Sequence, residues 1–165
     1  MHKNYKQYQA TNPDLCKKCG GACCKKSGCH FAPADFNELE FESLKNEIWK
    51  GHIAIDVIFA DDWHGATDVF YLRVRNVGEP VVVVDEEWWY KNNPCILLAK
   101  TGCKIPFQRR PTGGKSLLPK RDKYDRYVCR QMYTRADCAE EWMKYQEILK
   151  RLVAEFRYEE VQCLI

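Results

Sequence analysis

Five cysteines fall within residues 16–29, as Cys16-Lys-Lys-Cys19-Gly-Gly-Ala-Cys23-Cys24-x4-Cys29, and five more follow at 95, 103, 129, 138 and 163. Thiols this dense oblige a chain to fold around either disulfides or a metal. A Cys-x2-Cys knuckle such as Cys16–Cys19 turns both sulfurs towards one point, which is why it recurs in zinc and iron–sulfur sites. Compartment decides between the two outcomes. The N-terminus, Met-His-Lys-Asn-Tyr-Lys-Gln, has no apolar core of a secretory signal. No apolar run approaches the roughly 18 residues of a membrane helix; the longest, Val81 to Val84, is at most a buried strand. The expected compartment is the cytoplasm, where thiols stay reduced and metal is the expected occupant.

Composition narrows the partners. A net charge of +3 is too small to imply nucleic acid or an anionic membrane, and the basic residues are interleaved with acids along the chain. Neither kind of partner is expected. With 45% hydrophobic and 30% charged residues, the chain has the balance of a folded protein. Its 165 residues fit a single metal-binding domain over 1–165. Residues 1–15 read as a loose lead-in ending at the turn signal Asn12-Pro13-Asp14.

The expected fold class is α+β: a small antiparallel sheet, a long C-terminal helix and irregular loops stapled by metal. Asp35, with Glu38 three residues on, predicts a capped helix from about Phe36 to Trp49 that ends at Gly51. Ile53 to Phe59, Phe70 to Val74 and Val81 to Val84 read as strands. The turn residues Asn76 to Pro80 predict a hairpin between the second and third. Residues 91–137 are broken by prolines and glycines and read as irregular. Cys95, Cys103 and Cys129 lie inside that stretch and Cys138 at its end, so bonds to metal would supply the constraint a long loop needs. Trp142, Tyr145, Ile148, Leu149, Leu152, Val153 and Phe156 recur at helical spacing, predicting an amphipathic helix over about 139–156 whose apolar stripe packs the core.

Soft thiolates select zinc or an iron–sulfur cluster over magnesium or calcium. Lys17, Lys18, Lys25 and Lys26 place positive charge beside the first cysteines and favour their thiolates. Gly20-Gly21 and Gly28 let the backbone fold tightly there. Adjacent Cys23 and Cys24 are unusual for a simple zinc finger; they could serve two centres, or one could be buried and inert. The cysteine count permits two four-ligand sites without demanding them.

The other candidates have plainer readings. His30 reads as a surface loop histidine ahead of a ligand, and His52 and His64 have no partner at ligand spacing. Asp61-Asp62 and Asp85-Glu86-Glu87 read as solvated turns, and Trp88-Trp89-Tyr90 as core or lid packing. Cys163 reads as a free thiol. Gly113-Gly114-Lys115-Ser116 lacks the first glycine of a P-loop.

The run Cys16-x2-Cys19-Gly20-x2-Cys23-Cys24 resembles the CxxCxxCC, or YkgJ-type, family of zinc- or iron-chelating proteins. Cys95-Ile-Leu-Leu-x4-Cys103-x6-Arg110-Pro111 is similar to that family's second block. Two departures stand out. Three residues, not two, precede the double cysteine, and the cysteine usual just after Arg-Pro is replaced by the Gly113-Gly114 region. The resemblance implies metal binding, with Cys129 or Cys138 substituting for the missing ligand; Arg109-Arg110 could bind a phosphate or carboxylate, and the family-like Arg110-Pro111 could equally brace the metal loop. The expected ligands are therefore Cys16, Cys19, Cys23, Cys24, Cys95, Cys103, Cys129 and Cys138. A structural or electron-transfer role is the leading expectation. A related pattern in flagellin lysine methylases makes an iron–sulfur enzyme or enzyme component the first alternative; metal trafficking or sensing is the second.

Overall fold

The computed structural model describes residues 12–63, 65–83 and 93–162. Its mixed architecture agrees with the α+β expectation. The centre is a three-stranded sheet of β1 (Ile53–Ile58), β2 (Val69–Val74) and β3 (Val82–Val83), in the order β2-β1-β3. β1 and β2 run antiparallel, from Ile53 opposite Val74 to Ile58 opposite Val69. β3 lies parallel to β1 on its other side.

The predicted β2–β3 hairpin does not form. The outer edge of β2 is already taken by the cysteine segment: Phe31 N–H donates to the Leu72 carbonyl at 2.9 Å and Val74 N–H to that of Cys29 at 2.9 Å. β3 therefore pairs with the free edge of β1. What reads as a hairpin turn is a loop held by buried charge. Glu79 accepts from both terminal nitrogens of Arg73 at 2.8 and 2.9 Å and from the backbone and side-chain amides of Asn76 at 2.7 and 2.9 Å. Arg73 also donates to Asp56 at 2.5 Å.

Helices pack against this sheet and against the segments beside it. α1 is Pro13–Cys19, α2 Phe41–Trp49 and α3 the single turn Ala60–Trp63. α4 is the short Thr112–Lys115, α5 is Arg135–Trp142 and α6 is Gln146–Gln162, with a 3-10 turn at Met143–Tyr145 between the last two. Leu44 and Ile48 of α2, Trp142 of α5 and Leu149, Leu152 and Phe156 of α6 meet Ile53, Ile55, Tyr71 and Leu72 in one buried core. The apolar stripe read from the sequence is the packed face, although its helix is broken and reaches Gln162.

Three further expectations are corrected. Asn12-Pro13-Asp14 is a helix start: Asn12 Oδ1 accepts from the N–H groups of Asp14 and Leu15, with Pro13 in the first turn. α2 begins at Phe41, not near Phe36, because the Asp35 carboxylate is engaged elsewhere. It accepts from Ala32 N–H and from the backbone and hydroxyl of Thr112, and Pro33–Asp35 forms a 3-10 turn. Residues 91–137 are also less irregular than read. They hold a short ribbon, β4 (Leu98–Ala99) with β5 (Gly102–Cys103), and a longer hairpin, β6 (Leu117–Arg121) with β7 (Tyr127–Gln131). Val84, Asp85-Glu86-Glu87, Trp88-Trp89-Tyr90, His2, His64 and Cys163 lie outside the described residues. No helix among the described residues is long and apolar enough to cross a membrane.

Candidate metal centre

α1 carries Cys16 and Cys19 three residues apart and so on one helical face. The helix ends where Gly20 and Gly21 both take positive φ, +61° and +71°, which reverses the chain at little cost only for glycine. A Cβ on Gly21 would stand 2.6 Å from Leu98 Cδ1, so the glycine also lets β4 come close. Cys23 and Cys24 follow in a tight turn in which Lys26 N–H donates to the Cys23 carbonyl at 3.1 Å.

Gly28 is where the cysteine segment meets the sheet. A Cβ there would lie 2.0 Å from the Val74 carbonyl oxygen. Its N–H donates to Asn76 Oδ1 at 2.7 Å, joining the segment to the Arg73–Glu79 network. Cys29 and His30 then run along β2. Gly113 crosses His30 so closely that a Cβ would stand 2.7 Å from His30 N, and Gly114 lies against the Cys29 sulfur. Cys95 is joined to the cluster through its backbone, N–H donating to the Cys24 carbonyl at 2.7 Å. β5 brings Cys103 and β7 brings Cys129.

These elements enclose a cavity of about 330 Å³ lined by Cys16, Cys23, Cys24, Cys29, Cys95, Cys103 and Cys129. Cys19 stands beside the wall, half-buried, its sulfur 3.5 Å from the Cys16 carbonyl. Cys138 is elsewhere. It is fully buried in the hydrophobic core, where its thiol donates to the Phe31 carbonyl at 3.3 Å. Of the eight expected ligands, seven are thus at or beside one cavity and Cys138 is not; Cys29 joins them. None of the nine described cysteines is in a disulfide.

Electrostatics differ from thiol to thiol. Hydrogen bonds from Cys129 and Cys24 hold the Cys23 thiol well below its ordinary range, and Cys24 does the same, more mildly, for Cys95. Donating to thiolates pushes Cys24 and Cys129 up. Burial raises Cys29 and Cys16, the latter against the pull of Arg110, whose Nη1 lies 3.8 Å from its sulfur. Arg110 also donates from Nε to the Ile105 carbonyl at 3.1 Å. The guanidinium thus ties the loop before Pro111 to α1. His30 is no surface histidine: it is buried edge-on to Tyr71, and desolvation pushes its imidazole down to about 4.

The donor set fits zinc or iron. Every ionisable side chain on the cavity wall that could ligate a metal is a cysteine, with no carboxylate or imidazole among the lining residues. Cys23 Sγ and Cys24 Sγ are 3.9 Å apart, close to the edge of about 3.8 Å of a sulfur tetrahedron with Zn–S bonds of about 2.3 Å. Among the described residues no three His, Cys, Asp or Glu side chains already converge on one point; the thiols line the wall.

The surroundings are basic, contrary to the interleaving read along the chain. Residues 12–30 and 94–131, which build the cavity, contain fourteen Lys and Arg against three Asp and no Glu. Residues 31–93 and 132–165 contain twenty Asp and Glu against ten Lys and Arg. Lys17, Lys18, Lys25, Lys26 and Arg109 are exposed.

A cysteine-lined cavity on an α+β scaffold defines a thiolate-rich chelating protein. The chain belongs to the CxxCxxCC family, whose model, described as a putative zinc- or iron-chelating domain, matches residues 15–163. No curated protein and no solved structure matches it.

Two contributors escaped the sequence reading. Cys29 was not among the expected ligands. Gly113 and Gly114 were read as breakers, as a failed P-loop and as the place of a missing cysteine, not as packing positions. Their close packing on His30 and Cys29 leaves no local sequence signal, since it arises between segments more than 80 residues apart.

Proposed function

We propose that the protein binds zinc or iron through the thiolates of this cavity, and that the bound metal joins three segments that are distant in sequence: 12–30, 93–103 and 117–131. The observation that carries the reading is the meeting of seven cysteines, from Cys16 to Cys129, at one cavity with no competing carboxylate. So many apposed thiols in a reducing compartment are stabilised by metal, because each liganding sulfur gives up a proton and the ion compensates the charge left behind. The role is structural or electron-transferring, according to the metal. Arg110 supports the centre by donating towards the Cys16 sulfur, as outer-sphere groups do in thiolate sites.

The test is elemental analysis of anaerobically purified protein together with its visible spectrum. Stoichiometric zinc without colour identifies a structural site. Iron with acid-labile sulfide and a brown colour identifies an iron–sulfur centre and electron transfer. Protein that holds neither metal after expression and reconstitution refutes the reading.

A further inference from the structure

We propose that Lys17, Lys18, Lys25, Lys26 and Lys100, beside the cysteine-lined cavity, form a docking face for the acidic surface of a partner protein. The face stands on charge and geometry; what passes across it, metal or electrons, rests on the thiolate reading.

One turn gathers the five. Lys17 and Lys18 lie in the last turn of α1, just before Gly20. A Cβ on Gly20 would stand 3.9 Å from Lys25 Nζ and 4.0 Å from the Lys100 carbonyl. Gly21 and Lys26 line the cavity itself. All five lysines are exposed, and among the described residues no ion pair or hydrogen bond occupies their ammonium groups. Other cations of these segments are engaged. Arg121 and Arg126 pair with Asp125 and Asp122 at 2.6 and 2.7 Å, and Lys104 Nζ donates to the Ile96 carbonyl at 3.2 Å. Asp14, the remaining acid, lies in the first turn of α1, at the far end from the lysines.

The thiolates are too few to use up this charge. Residues 12–30 and 94–131 hold fourteen Lys and Arg, three Asp and eight Cys. With all eight sulfurs ionised the segments stay net positive, and a bound cation makes them more so. Unpaired ammonium groups held together repel one another, and a surface of opposite sign relieves that repulsion.

The class of partner follows from what the face lacks. Residues 12–30 and 94–104 contain no Phe, Tyr or Trp and expose no large apolar side chain. They offer neither a ring for bases to stack on nor an anchor for lipid. The cations are lysines, without the planar fork with which arginine grips phosphate. The rest of the chain holds twenty Asp and Glu against ten Lys and Arg, which repels a long polyanion running past the face. A compact face of carboxylates meets none of these obstacles.

Binding of a fluorescein-labelled dodecaglutamate peptide to the full chain, read by fluorescence anisotropy, is the test. Saturable binding is expected, weakening steeply as added salt screens the charges. Lys17→Gln, Lys18→Gln, Lys25→Gln and Lys100→Gln together should weaken it about tenfold, at roughly a factor of two for each exposed pair. Lys144→Gln with Lys150→Gln, on the acidic part of the chain, should leave it unchanged. Should the fourfold variant fail to fold, Lys100→Glu on the β4–β5 turn decides the question: about fivefold weaker binding is expected, and no loss overturns the proposal. Absence of binding at low salt overturns it too, as does a fourfold variant that binds like the wild type. Tighter binding of an oligothymidylate of equal charge assigns the face to nucleic acid and overturns the protein partner. Metal content of the same preparation keeps the two readings apart. Peptide binding by protein that takes up no metal refutes the thiolate centre alone, and metal-loaded protein that ignores the peptide refutes the face alone.

Discussion

Glu79 offers a sharp test of how the scaffold holds the cysteine segment. It is 3% exposed and accepts four hydrogen bonds, two from the Arg73 guanidinium and two from Asn76. Replacing it by alanine leaves Arg73 buried with Asp56 and the Val74 carbonyl as its remaining partners. Removing one member of a buried ion pair costs about 3–5 kcal/mol, mostly because the other charge stays buried and under-compensated. That is a large share of the roughly 5–15 kcal/mol a domain has. Asn76, no longer held by Glu79, also loses its grip on Gly28 N–H. The assay is urea unfolding of wild type and Glu79→Ala at fixed metal concentration, with Glu79→Gln as the isosteric control and an intermediate loss expected for it. Burial raises the Glu79 carboxyl and the Arg73 hydrogen bonds lower it, with a net lowering from 4.5. A lowered carboxylate contributes stability that is complete above its unfolded value and is lost as pH falls through the folded one. The gap between wild type and Glu79→Gln should therefore be full at neutral pH and close below about 4.5. A loss for Glu79→Ala under about 1 kcal/mol, the size of an ordinary surface change, or a gap unaffected by acid, would refute the reasoning.

Cys138→Ala should leave the metal content unchanged while costing about 1 kcal/mol of stability, the usual scale for removing one buried heavy atom; elemental analysis and thermal unfolding together check it. Gly28→Ala forces a Cβ to within 2.0 Å of the Val74 carbonyl oxygen, so metal content and near-UV circular dichroism should both collapse, whereas Gly78→Ala, where a Cβ meets nothing within 4 Å, should retain metal. Arg110→Gln should weaken metal binding about 10–100-fold, the usual effect of losing a group that supports a ligand, as read by competition with a chromogenic chelator. In metal-free protein Cys23 should alkylate first and remain reactive below neutral pH, while Cys29 stays inert until the solution is strongly alkaline; peptide mapping after brief iodoacetamide treatment follows both.

The sequence was most legible where a signal is local or periodic. Leu149, Leu152 and Phe156 announce a helix face because burial repeats every turn, and Cys16 and Cys19 announce a ligand pair because a knuckle needs only four residues. Strand order was hidden because it depends on which edge a distant segment occupies, and nothing near Asn76 records that Cys29 to Phe31 already cover β2. The β6–β7 hairpin was missed for a different reason. Pro119 faces Cys129 within it, and a proline inside a run demotes a strand unless that strand lies at an edge. Asp122, which accepts from Tyr124 and Arg126 N–H to close the turn, was the available clue. Cys129 and Cys138 could not be told apart by spacing alone; only packing sends one to the cavity and the other to the core.

The basic excess of the segments that build the cavity bears on how metal reaches it. Lys26 and Arg110 line the cavity and no carboxylate does, so an anionic complex of the metal is drawn in more readily than the hydrated cation. Loading from a multiply negative carrier should slow as salt is added, and loading from the hydrated ion should quicken. The salt dependence of loading thus tells the two metal sources apart.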